Sequence, residues 1–243
     1  MIMGRKSKIK VGIIGSNGFL GTNLISRFKK HKKYIVIGIT KSNYASFIND
    51  TFDVLINANG NSKKFWANEN PSDDFVLSTH SVYNSVVDFK CKLYIYISSI
   101  DVYKNNVYGF NKKLSEQIVK KFNKNYIIFR CASIIGDNMK KGVFYDILFG
   151  NKVFVSPDSK LQFISCEDIF NIMHRLIELD VKRETFNLCG RGNISVKDIG
   201  NLLHKDIEYN SELEDQCFDY SPKKLCEHYH VKTTKQYIEA YRK

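Results

Sequence analysis

The sequence is poor in residues that interrupt regular structure. Its 243 residues include only 3 prolines and 14 glycines, whereas 43% are hydrophobic and 26% are charged. Disordered and fibrous chains show the opposite balance, with few apolar residues or an excess of glycine and proline. The composition therefore indicates a folded globular chain, and its length suits one large domain or a core with a smaller lobe.

Long apolar runs are also missing. No stretch approaches the roughly 18 consecutive apolar residues that a membrane-spanning helix requires. Residues 1–10 are basic but lead directly into a short apolar run, without the longer apolar core that precedes the cleavage site of a signal peptide. We therefore expect a cytoplasmic protein without a membrane partner.

The six cysteines are widely spaced, and none belongs to a Cys-x-x-Cys pair. Disulfides stabilise mostly small secreted domains, so free thiols in a reducing compartment fit this chain better. The segment Cys226-Glu-His228-Tyr-His230 contains metal-ligating residue types. A zinc site usually needs wider spacing and a second pair of ligands, which the sequence lacks, so we predict no metal.

Acidic residues are fewer than basic residues. The chain has 25 Asp and Glu against 37 Lys and Arg, a net charge of +12. Such a balance can indicate a nucleic-acid partner. The positive residues are mostly lysines spread along the whole chain, which favours a solvated surface, and we do not expect nucleic acid as a partner. A local cluster at Lys29, Lys30, Lys32 and Lys33 would still suit an anionic ligand.

Short apolar runs alternate with helical patterns through the first half of the chain. β-Branched and aromatic runs predict strands over residues 8–14, 34–39, 52–58, 93–98 and 126–130. Apolar residues at helical spacing predict helices over residues 19–28, 71–89 and 108–122. This alternation is typical of βαβ units, so the predicted fold class is α/β, a Rossmann-type doubly wound parallel sheet.

Beyond Gly136 the predicted elements become shorter. They are helices over residues 143–149 and 166–179 and strands over residues 153–155 and 162–164. We predict a Rossmann core over residues 1–135 and a compact lobe over residues 136–243 that is interleaved with the last strands of the sheet.

Three glycines, Gly15, Gly18 and Gly21, follow the first predicted strand and open the first predicted helix. At this spacing the first glycine allows a tight turn, the second lets a pyrophosphate approach the backbone, and the third lets the helix pack against the strand. The N–H groups and dipole of the helix N-terminus attract phosphate. The core is therefore predicted to bind a nicotinamide dinucleotide.

The end of the second predicted strand lacks the acidic residue that usually binds the adenosine ribose of NAD. The chain continues there as Thr40-Lys41-Ser42-Asn43. A lysine and small polar side chains suit a 2′-phosphate by charge and by hydrogen bonding. NADP(H) is therefore the preferred cofactor, with Lys41 and Ser42 as contacts. NAD(H) stays open, because Lys41 can also be one more surface lysine.

Tyr108 and Lys112 stand four residues apart at the start of a predicted helix. Side chains at this spacing share one helix face. A nearby ammonium lowers the pKa of a phenol from its usual value of about 10, which helps tyrosine exchange a proton near neutral pH. Ser99 follows a predicted strand at its carboxyl end, where open α/β sheets bind ligands. These three residues are the predicted catalytic set.

In this order, the motifs resemble the extended branch of the short-chain dehydrogenase/reductase superfamily, the NAD-dependent epimerase/dehydratase family of nucleotide-sugar enzymes. The resemblance covers nearly the whole chain. It is carried by Gly15-x-x-Gly18-x-x-Gly21, Ile56-Asn-Ala58-Asn-Gly60, Ser99-x-x-Val-Tyr103, Tyr108-Gly-x-x-Lys112, Arg130-Cys-Ala-Ser133-Ile-Ile-Gly136, Gln162-Phe-Ile-Ser-Cys-Glu-Asp168, and Phe186-Asn187-Leu188 followed by Ser195-Val196.

The resemblance implies a role for each group. Tyr108 would exchange a proton with the substrate oxygen while hydride moves to or from the nicotinamide, Lys112 would hold the nicotinamide ribose, and Ser99 would hydrogen-bond the reacting oxygen. The implied cofactor contacts are Gly15, Ser16, Asn17, Gly18, Phe19, Leu20, Lys41, Ser42, Ala58, Asn59, Gly60, Tyr108 and Lys112. The implied substrate contacts, partly from a substrate-binding lobe, are Ser99, Asp101, Ser133, Lys141 and Gln162.

The activity we expect is NADP(H)-dependent reduction of a keto group on a small, nucleotide-linked deoxy-sugar. Only eight residues separate Ser99 from Tyr108, where family members commonly carry a longer substrate-contacting insert. Ile100 occupies the first position of the acidic pair found in sugar-nucleotide dehydratases, which disfavours dehydration. Asp101 remains at the second position, where relatives can place an additional acid or base.

Two other functions stay open. One is a sugar epimerase that keeps its NAD(P) bound and returns the hydride, which Asp101 leaves available. The other is a non-catalytic member that binds NADP or RNA, which the net charge and the short segment after Ser99 suggest. The resemblance further implies a homodimer formed through the helices predicted over residues 71–89 and 108–122.

Overall fold

The computed structural model of the chain describes residues 8–241. Residues 1–7, on which the expectation about a signal peptide partly rests, lie outside the described residues. The strands are β1 (Ile9–Ile14), β2 (Tyr34–Ile39), β3 (Thr51–Asn57), β4 (Lys90–Ser99), β5 (Tyr126–Cys131), β6 (Ser133–Ile135), β7 (Val153–Val155), β8 (Lys160–Leu161), β9 (Phe163–Ser165), β10 (Glu184–Leu188), β11 (Ile194–Ser195) and β12 (Tyr209–Glu214). The helices are α1 (Phe19–Lys30), α2 (Lys64–Glu69), α3 (Pro71–Asp74), α4 (Ser81–Asp88), α5 (Val107–Phe122), α6 (Val143–Phe149), α7 (Cys166–Glu178), α8 (Val196–Leu203), α9 (Lys223–Cys226) and α10 (Thr234–Glu239).

Six strands form the central sheet in the order β10-β5-β4-β3-β1-β2. β1 pairs in parallel with β2 and with β3, and β3 pairs in parallel with β4. Since β1 lies between β2 and β3, the strand order reverses there, and the carboxyl ends of β1 and β3 face the crevice in which open α/β sheets bind ligands. The parallel sheet with its helices confirms the predicted Rossmann-type α/β fold.

β10 and β2 are the edge strands of the sheet. β2 reads Tyr-Ile-Val-Ile-Gly-Ile and has β1 as its neighbour on one side. Its end residues Tyr34 and Ile39 are buried, while Ile35 is 50% exposed. β1, by contrast, is buried from Val11 to Ile14, as expected for a strand with a neighbour on each side.

The chain divides into two compact units. The first consists of the chain up to Phe129 and of Asp180–Thr185, and the second consists of Arg130–Leu179 and of the chain from Phe186 onward. Apolar side chains from the sheet and from α4 and α5 build the core of the first unit. They include Ile14, Ile39, Phe52, Leu55, Val82, Phe89, Tyr94, Tyr96, Val119 and Ile128.

The second unit has its own core. The Phe144 ring of α6 lies 5.8 Å from that of Phe163 and 5.5 Å from that of Tyr241, measured between ring centroids. In the first turn of α7, the buried carboxylate of Asp168 accepts hydrogen bonds from Tyr229 (3.2 Å) and Tyr237 (2.6 Å). These bonds fasten the C-terminal segment to α7.

The segment predicted as one helix over residues 71–89 is less regular in the structure. It begins as α3, widens into a π-helical turn over Phe75–His80, and returns to α-helical geometry in α4. Ser81 donates its hydroxyl proton to the Leu77 carbonyl oxygen (2.6 Å) at the end of the wide turn. Apolar spacing cannot distinguish these helix types, because both present an apolar face to the core.

Residues 8–241 lack three features that would point to other kinds of protein. None of the helices there has the length and apolar character needed to cross a membrane. No two cysteines in that range form a disulfide. Among the same residues, no group of three His, Cys, Asp or Glu side chains lies together as a set of metal ligands.

Candidate active site

The turn between β1 and α1 depends on glycine at two positions. Gly15 has a φ of +78°, a backbone conformation that side chains disfavour. A Cβ on Gly21 would lie only 2.1 Å from the Gly15 carbonyl oxygen, so α1 approaches the turn more closely than any side chain permits. Gly18 is the N-cap of α1 and has no side chain to cap it. The N–H groups of the first helical turn therefore remain for a ligand.

A cavity of about 310 Å³ lies beside this turn. Its walls come from the loops that follow β1, β2 and β3, at the point where the strand order reverses. The lining residues are Gly15, Asn17, Gly18, Thr40, Lys41, Ala58, Asn59 and Gly60. Glycine walls and free helical N–H groups suit the phosphates of a dinucleotide, so the residues present fit such a cofactor.

Asn43 organises the loop after β2. Its Oδ1 accepts hydrogen bonds from the Thr40 N–H (2.7 Å) and the Thr40 hydroxyl (3.1 Å), and its amide donates to the Gly38 carbonyl oxygen (3.1 Å). Lys41 extends from this loop, is exposed, and lines the cavity. Among the described residues that line the cavity, none carries a carboxylate.

The loop after β3 connects the cavity with Lys112. It is fixed by Asn57, whose buried amide donates to Ser85 Oγ (3.0 Å) and Tyr94 OH (2.9 Å) and whose Oδ1 accepts from the Asn59 N–H (3.0 Å). Gly60 has a φ of +120°, and a Cβ there would lie 3.3 Å from Lys112 Nζ. Gly60 therefore both lines the cavity and lies next to the lysine.

Ser99 ends β4 and is hydrogen-bonded twice to Asp101. Its hydroxyl accepts from the Asp101 N–H and donates to Asp101 Oδ2, each at 3.1 Å. Both side chains are buried, and the other carboxylate oxygen of Asp101 lies 3.9 Å from Lys64 Nζ. A substrate oxygen that takes the Ser99 proton must therefore compete with Asp101.

α5 brings Tyr108 and Lys112 to the same place. The Asn106 side chain caps the helix by accepting from the Gly109 N–H (2.7 Å). Lys112 Nζ lies 5.8 Å from the Tyr108 ring centroid, donates a long hydrogen bond to the Ile97 carbonyl oxygen (3.5 Å), and is almost completely buried. The predicted convergence of the phenol and the ammonium is present in the structure.

Burial dominates the electrostatics of Tyr108. Loss of hydration raises the pKa of Tyr108 above its ordinary value, Lys112 and a hydrogen bond with Ser99 lower it, and Asp101 and Tyr96 raise it again. The expectation that Lys112 brings this pKa down toward neutrality is therefore wrong for this structure. The phenol stays protonated at neutral pH and is prepared to donate a proton.

Some predicted cofactor contacts do not line the cavity with their side chains. The Ser16 hydroxyl donates to the Ile39 carbonyl oxygen (3.3 Å), Leu20 is buried in the core, and Phe19 begins α1. For Ser16 and Leu20, contact with a ligand would therefore come from the backbone, while contact by the partly exposed Phe19 stays a prediction. The Ser42 hydroxyl lies 2.9 Å from Thr40 Oγ1, and it is Thr40, absent from the predicted set, that lines the cavity.

Gln162 is not available as the predicted substrate contact. Its side chain is completely buried, and its amide donates to the carbonyl oxygens of Gly190 (3.0 Å), Gly192 (3.3 Å) and Tyr220 (2.9 Å). Its Oε1 accepts from the Tyr220 N–H (2.8 Å). These hydrogen bonds use both the NH2 group and the oxygen of the Gln162 amide inside the second unit, so the predicted substrate contact does not fit the structure.

The other two substrate contacts predicted outside the first unit are Ser133 and Lys141. Ser133 is half-buried on β6, and Lys141 is exposed in the loop before α6. Both belong to the second unit. Their contact with substrate stays a prediction.

Sequence reasoning missed two buried polar residues near Lys112. Asn111 precedes Lys112 and donates its amide to Asp74 Oδ2 (2.7 Å), and Asp74 is completely buried. A signal for Asn111 exists, since it lies inside the Tyr108-Gly-Phe-Asn-Lys112 segment. Asp74 has no such signal, because an Asp near a helix start is ordinarily a surface residue.

The family of this chain follows from its match to a protein-family model. Residues 11–189 match the model of the NAD dependent epimerase/dehydratase family. The chain belongs to this family. The resemblance found in the motifs is thereby confirmed, and so is the prediction of an NAD(P)-dependent enzyme.

Solved structures of similar fold include both epimerases and reductases. The UDP-glucuronic acid 4-epimerase of Bacillus cereus, in complex with UDP-glucuronic acid and NAD, matches with a TM-score of 0.79 at 16% identity, over 96% of this chain and 97% of that one. The dTDP-4-dehydrorhamnose reductase of Bacillus anthracis, in complex with NADP, matches with 0.78 at 17% identity, over 98% of both chains. The dTDP-4-dehydrorhamnose reductase of Clostridium acetobutylicum matches with a TM-score of 0.79 at 18% identity, over 96% of this chain and 98% of that one. A search of curated proteins found no sequence match to this chain.

Proposed function

We propose that this chain is an NADP(H)-dependent oxidoreductase that reduces a keto group on a nucleotide-linked deoxy-sugar. The observation that carries the proposal is that Tyr108 contacts both Ser99 and Lys112, while Lys112 lies beside Gly60 in the wall of a glycine-lined cavity. In this proposal the core of residues 1–135 binds the dinucleotide, and the lobe of residues 136–243 contributes to the substrate site. The proposed location is the cytoplasm.

Each residue has a defined task in the reaction. A bound nicotinamide would supply the hydride that reaches the carbonyl carbon. Tyr108, whose pKa burial raises further, donates its phenolic proton to the carbonyl oxygen as negative charge develops there. Lys112 stabilises the resulting phenolate and offers its remaining N–H groups to a ribose hydroxyl. Ser99 turns from Asp101 to hydrogen-bond the same substrate oxygen.

A fluorescence titration with NADPH and, separately, NADH tests the proposal. We expect tight binding of NADPH and weaker binding of NADH, followed by stoichiometric oxidation of NADPH when a nucleotide-linked keto-sugar is added. A protein that binds neither nucleotide is incompatible with the proposal. A preference for NADH, or a nucleotide that copurifies, favours the epimerase instead.

Lys41→Glu tests the choice of cofactor. The exposed ammonium lines the cavity, and reversing its charge would repel a 2′-phosphate. We expect the Kd of NADPH to rise at least about tenfold, the size of a lost charge-assisted hydrogen bond, while that of NADH changes little. Lys90→Glu, the same change at the amino end of β4, serves as the control. Equal effects on both nucleotides would show that Lys41 is only surface charge.

One observation favours a second candidate, a nucleotide-sugar epimerase. Asp101 is buried beside Ser99 and supplies a second acid–base group at the reacting oxygen. The two activities differ in stoichiometry, since a reductase consumes one NADPH per product and an epimerase consumes none. Interconversion of sugar epimers without loss of NADPH absorbance would decide for the epimerase.

We also propose a homodimer formed through α4 and α5. Tyr83 and Val87 of α4 and Phe122 of α5 are exposed, and the rings of Tyr83 and Phe122 pack edge to face at 5.5 Å. This apolar surface is of the kind that a second copy covers. Sedimentation should give twice the chain mass of 28.2 kDa, and Val87→Glu should shift it toward one chain mass. A wild-type monomer at micromolar concentration would contradict the dimer.

A further inference from the structure

A buried polar network lies beside Lys112, with Asp74 at its centre. The Asp74 side chain is completely buried and accepts three hydrogen bonds. Asn61 Nδ2 donates to Oδ1 at 2.8 Å, Ser78 Oγ donates to the same oxygen at 3.2 Å, and Asn111 Nδ2 donates to Oδ2 at 2.7 Å. The donors come from the loop after β3, from the π-helical turn and from α5. Hydrogen bonds to a carboxylate are stronger than neutral ones, so Asp74 fastens three segments at one point.

Two of these donors are chain neighbours of site residues. Asn61 directly follows Gly60, and Asn111 directly precedes Lys112. Their amides reach different oxygens of one carboxylate, which therefore connects the two segments. A Cβ on Gly60 would lie 3.3 Å from Lys112 Nζ, so Gly60 in the cavity wall is close to the ammonium. The Asp74 carboxylate thus fixes the separation of these two groups.

Lys112 needs such support, because the contacts of its ammonium with the described residues are weak. They are the 3.5 Å hydrogen bond to the Ile97 carbonyl oxygen and the faces of the Tyr96 and Tyr108 rings, at 5.4 and 5.8 Å from the centroids. The backbone that carries Lys112 is held more firmly. The Asn111 carbonyl oxygen accepts from the hydroxyls of Thr79 (3.1 Å) and Ser115 (2.8 Å), while the Asn111 amide binds Asp74.

We propose that Asp74 is a positioning residue of the dinucleotide site, acting through Asn61 on Gly60 and through Asn111 on Lys112. The inference rests on the proposed function, since a dinucleotide is the ligand that Gly60 and Lys112 would share. Asp74 neither donates a proton nor serves as the hydrogen-bonded partner of the ammonium, because its described hydrogen bonds come from two amides and one hydroxyl. Its contribution is geometric, and small displacements of such supports lower affinity and turnover strongly.

Asp74→Asn tests the geometry while preserving the shape of the side chain. The new NH2 group replaces one acceptor and faces the Asn111 amide, which must rotate to present its oxygen, so the hydrogen bond from Asn111 to a charged carboxylate is lost. We expect the Kd of NADPH to rise about tenfold or more, as for a lost hydrogen bond to a charged group. Asp73→Asn makes the same change at the exposed neighbouring position and should leave the Kd within about twofold of wild type.

An exchange of the two partners separates geometry from charge. In the double variant Asp74→Asn/Asn111→Asp, the Asn at 74 accepts from Asn61 with its oxygen and donates to the carboxylate at 111 with its NH2 group. Both connections are restored, and we expect the Kd of NADPH to recover to within about threefold of wild type, the usual sign of coupled partners. A double variant no better than Asp74→Asn would show that a negative charge at position 74 itself is what the protein requires, and would overturn the inference.

A measurement without nucleotide keeps the inference separate from the proposed function. Amide hydrogen exchange in residues 58–62 and 109–113 should accelerate in Asp74→Asn relative to wild type and to Asp73→Asn. Unchanged exchange in both segments would overturn the inference whatever the nucleotides do, whereas a wild-type protein that binds no nucleotide overturns the proposed function. If Asp74→Asn does not fold, Asn111→Ala removes the connection to α5, the one hydrogen bond described for the Asn111 side chain, and should accelerate exchange in residues 109–113 alone.

Discussion

Tyr108→Phe is expected to lower turnover by roughly 10²–10⁴ while nucleotide affinity stays nearly unchanged. Phenylalanine fills the buried space of the tyrosine and removes only the hydroxyl that donates the proton. Ser99 loses its hydrogen bond with the phenol but keeps both hydrogen bonds to Asp101, and Lys112 keeps its place over the ring. The measurement is kcat for reduction of a nucleotide-linked keto-sugar, together with the Kd of NADPH.

The control for this variant is Tyr126→Phe at the start of β5, which removes a phenolic hydroxyl away from the site. It should leave kcat within about twofold of wild type. If Tyr108→Phe retained full turnover, Tyr108 would have no part in the proton transfer. If it lost nucleotide binding as well, the hydroxyl would be a cofactor contact rather than the proton donor.

Gly109→Ala is expected to damage both the fold and the chemistry. A Cβ at this position would lie 2.0 Å from the Asp101 carbonyl oxygen and 2.7 Å from its carbon, so the first turn of α5 must move away from the 3₁₀ turn over Ile100–Tyr103. Overpacking of this kind costs about 1–3 kcal/mol of stability. A displacement of about 1 Å between Ser99 and Tyr108 would lower turnover by about 10². Thermal unfolding and kcat measure the two effects.

Gly150→Ala is the matched control for this glycine. Gly150 has a positive φ, +69°, unlike Gly109, and an added Cβ would meet nothing within 4 Å. Alanine there should cost about 1–2 kcal/mol for its left-handed backbone and leave kcat unchanged. Equal losses of turnover in both variants would mean that the contact between Gly109 and Asp101 does not matter for catalysis.

Much of the fold could be predicted because buried strands and helical spacing leave a strong pattern. The strand Tyr34–Ile39 and the helix Val143–Phe149 have the predicted bounds. The π-helical turn over Phe75–His80 could not be predicted, since apolar spacing does not distinguish it from an α-helical turn. α2 was also missed, because six residues are too few to show a helical period.

The site was predictable where a residue acts through its own chemistry at a fixed spacing. Gly15, Lys41 and Gly60 line one cavity, and Tyr108 and Lys112 converge. Gln162 was assigned wrongly because a sequence does not show whether an amide faces a ligand or the backbone of its own lobe. The direction of the Tyr108 pKa was also wrong, because desolvation depends on how deeply the whole site is buried.

β2 is an edge strand of the sheet, and this position gives the lysines near it a role in solubility. An end strand leaves a row of backbone N–H and C=O groups that can pair with a strand of another molecule, and the half-exposed Ile35 would add apolar contact to such pairing. Lys32 and Lys33 precede β2, and Lys41 follows it. When two copies approach edge to edge, these like charges repel each other. Part of the positive charge of the chain therefore protects the open edge of the sheet against aggregation.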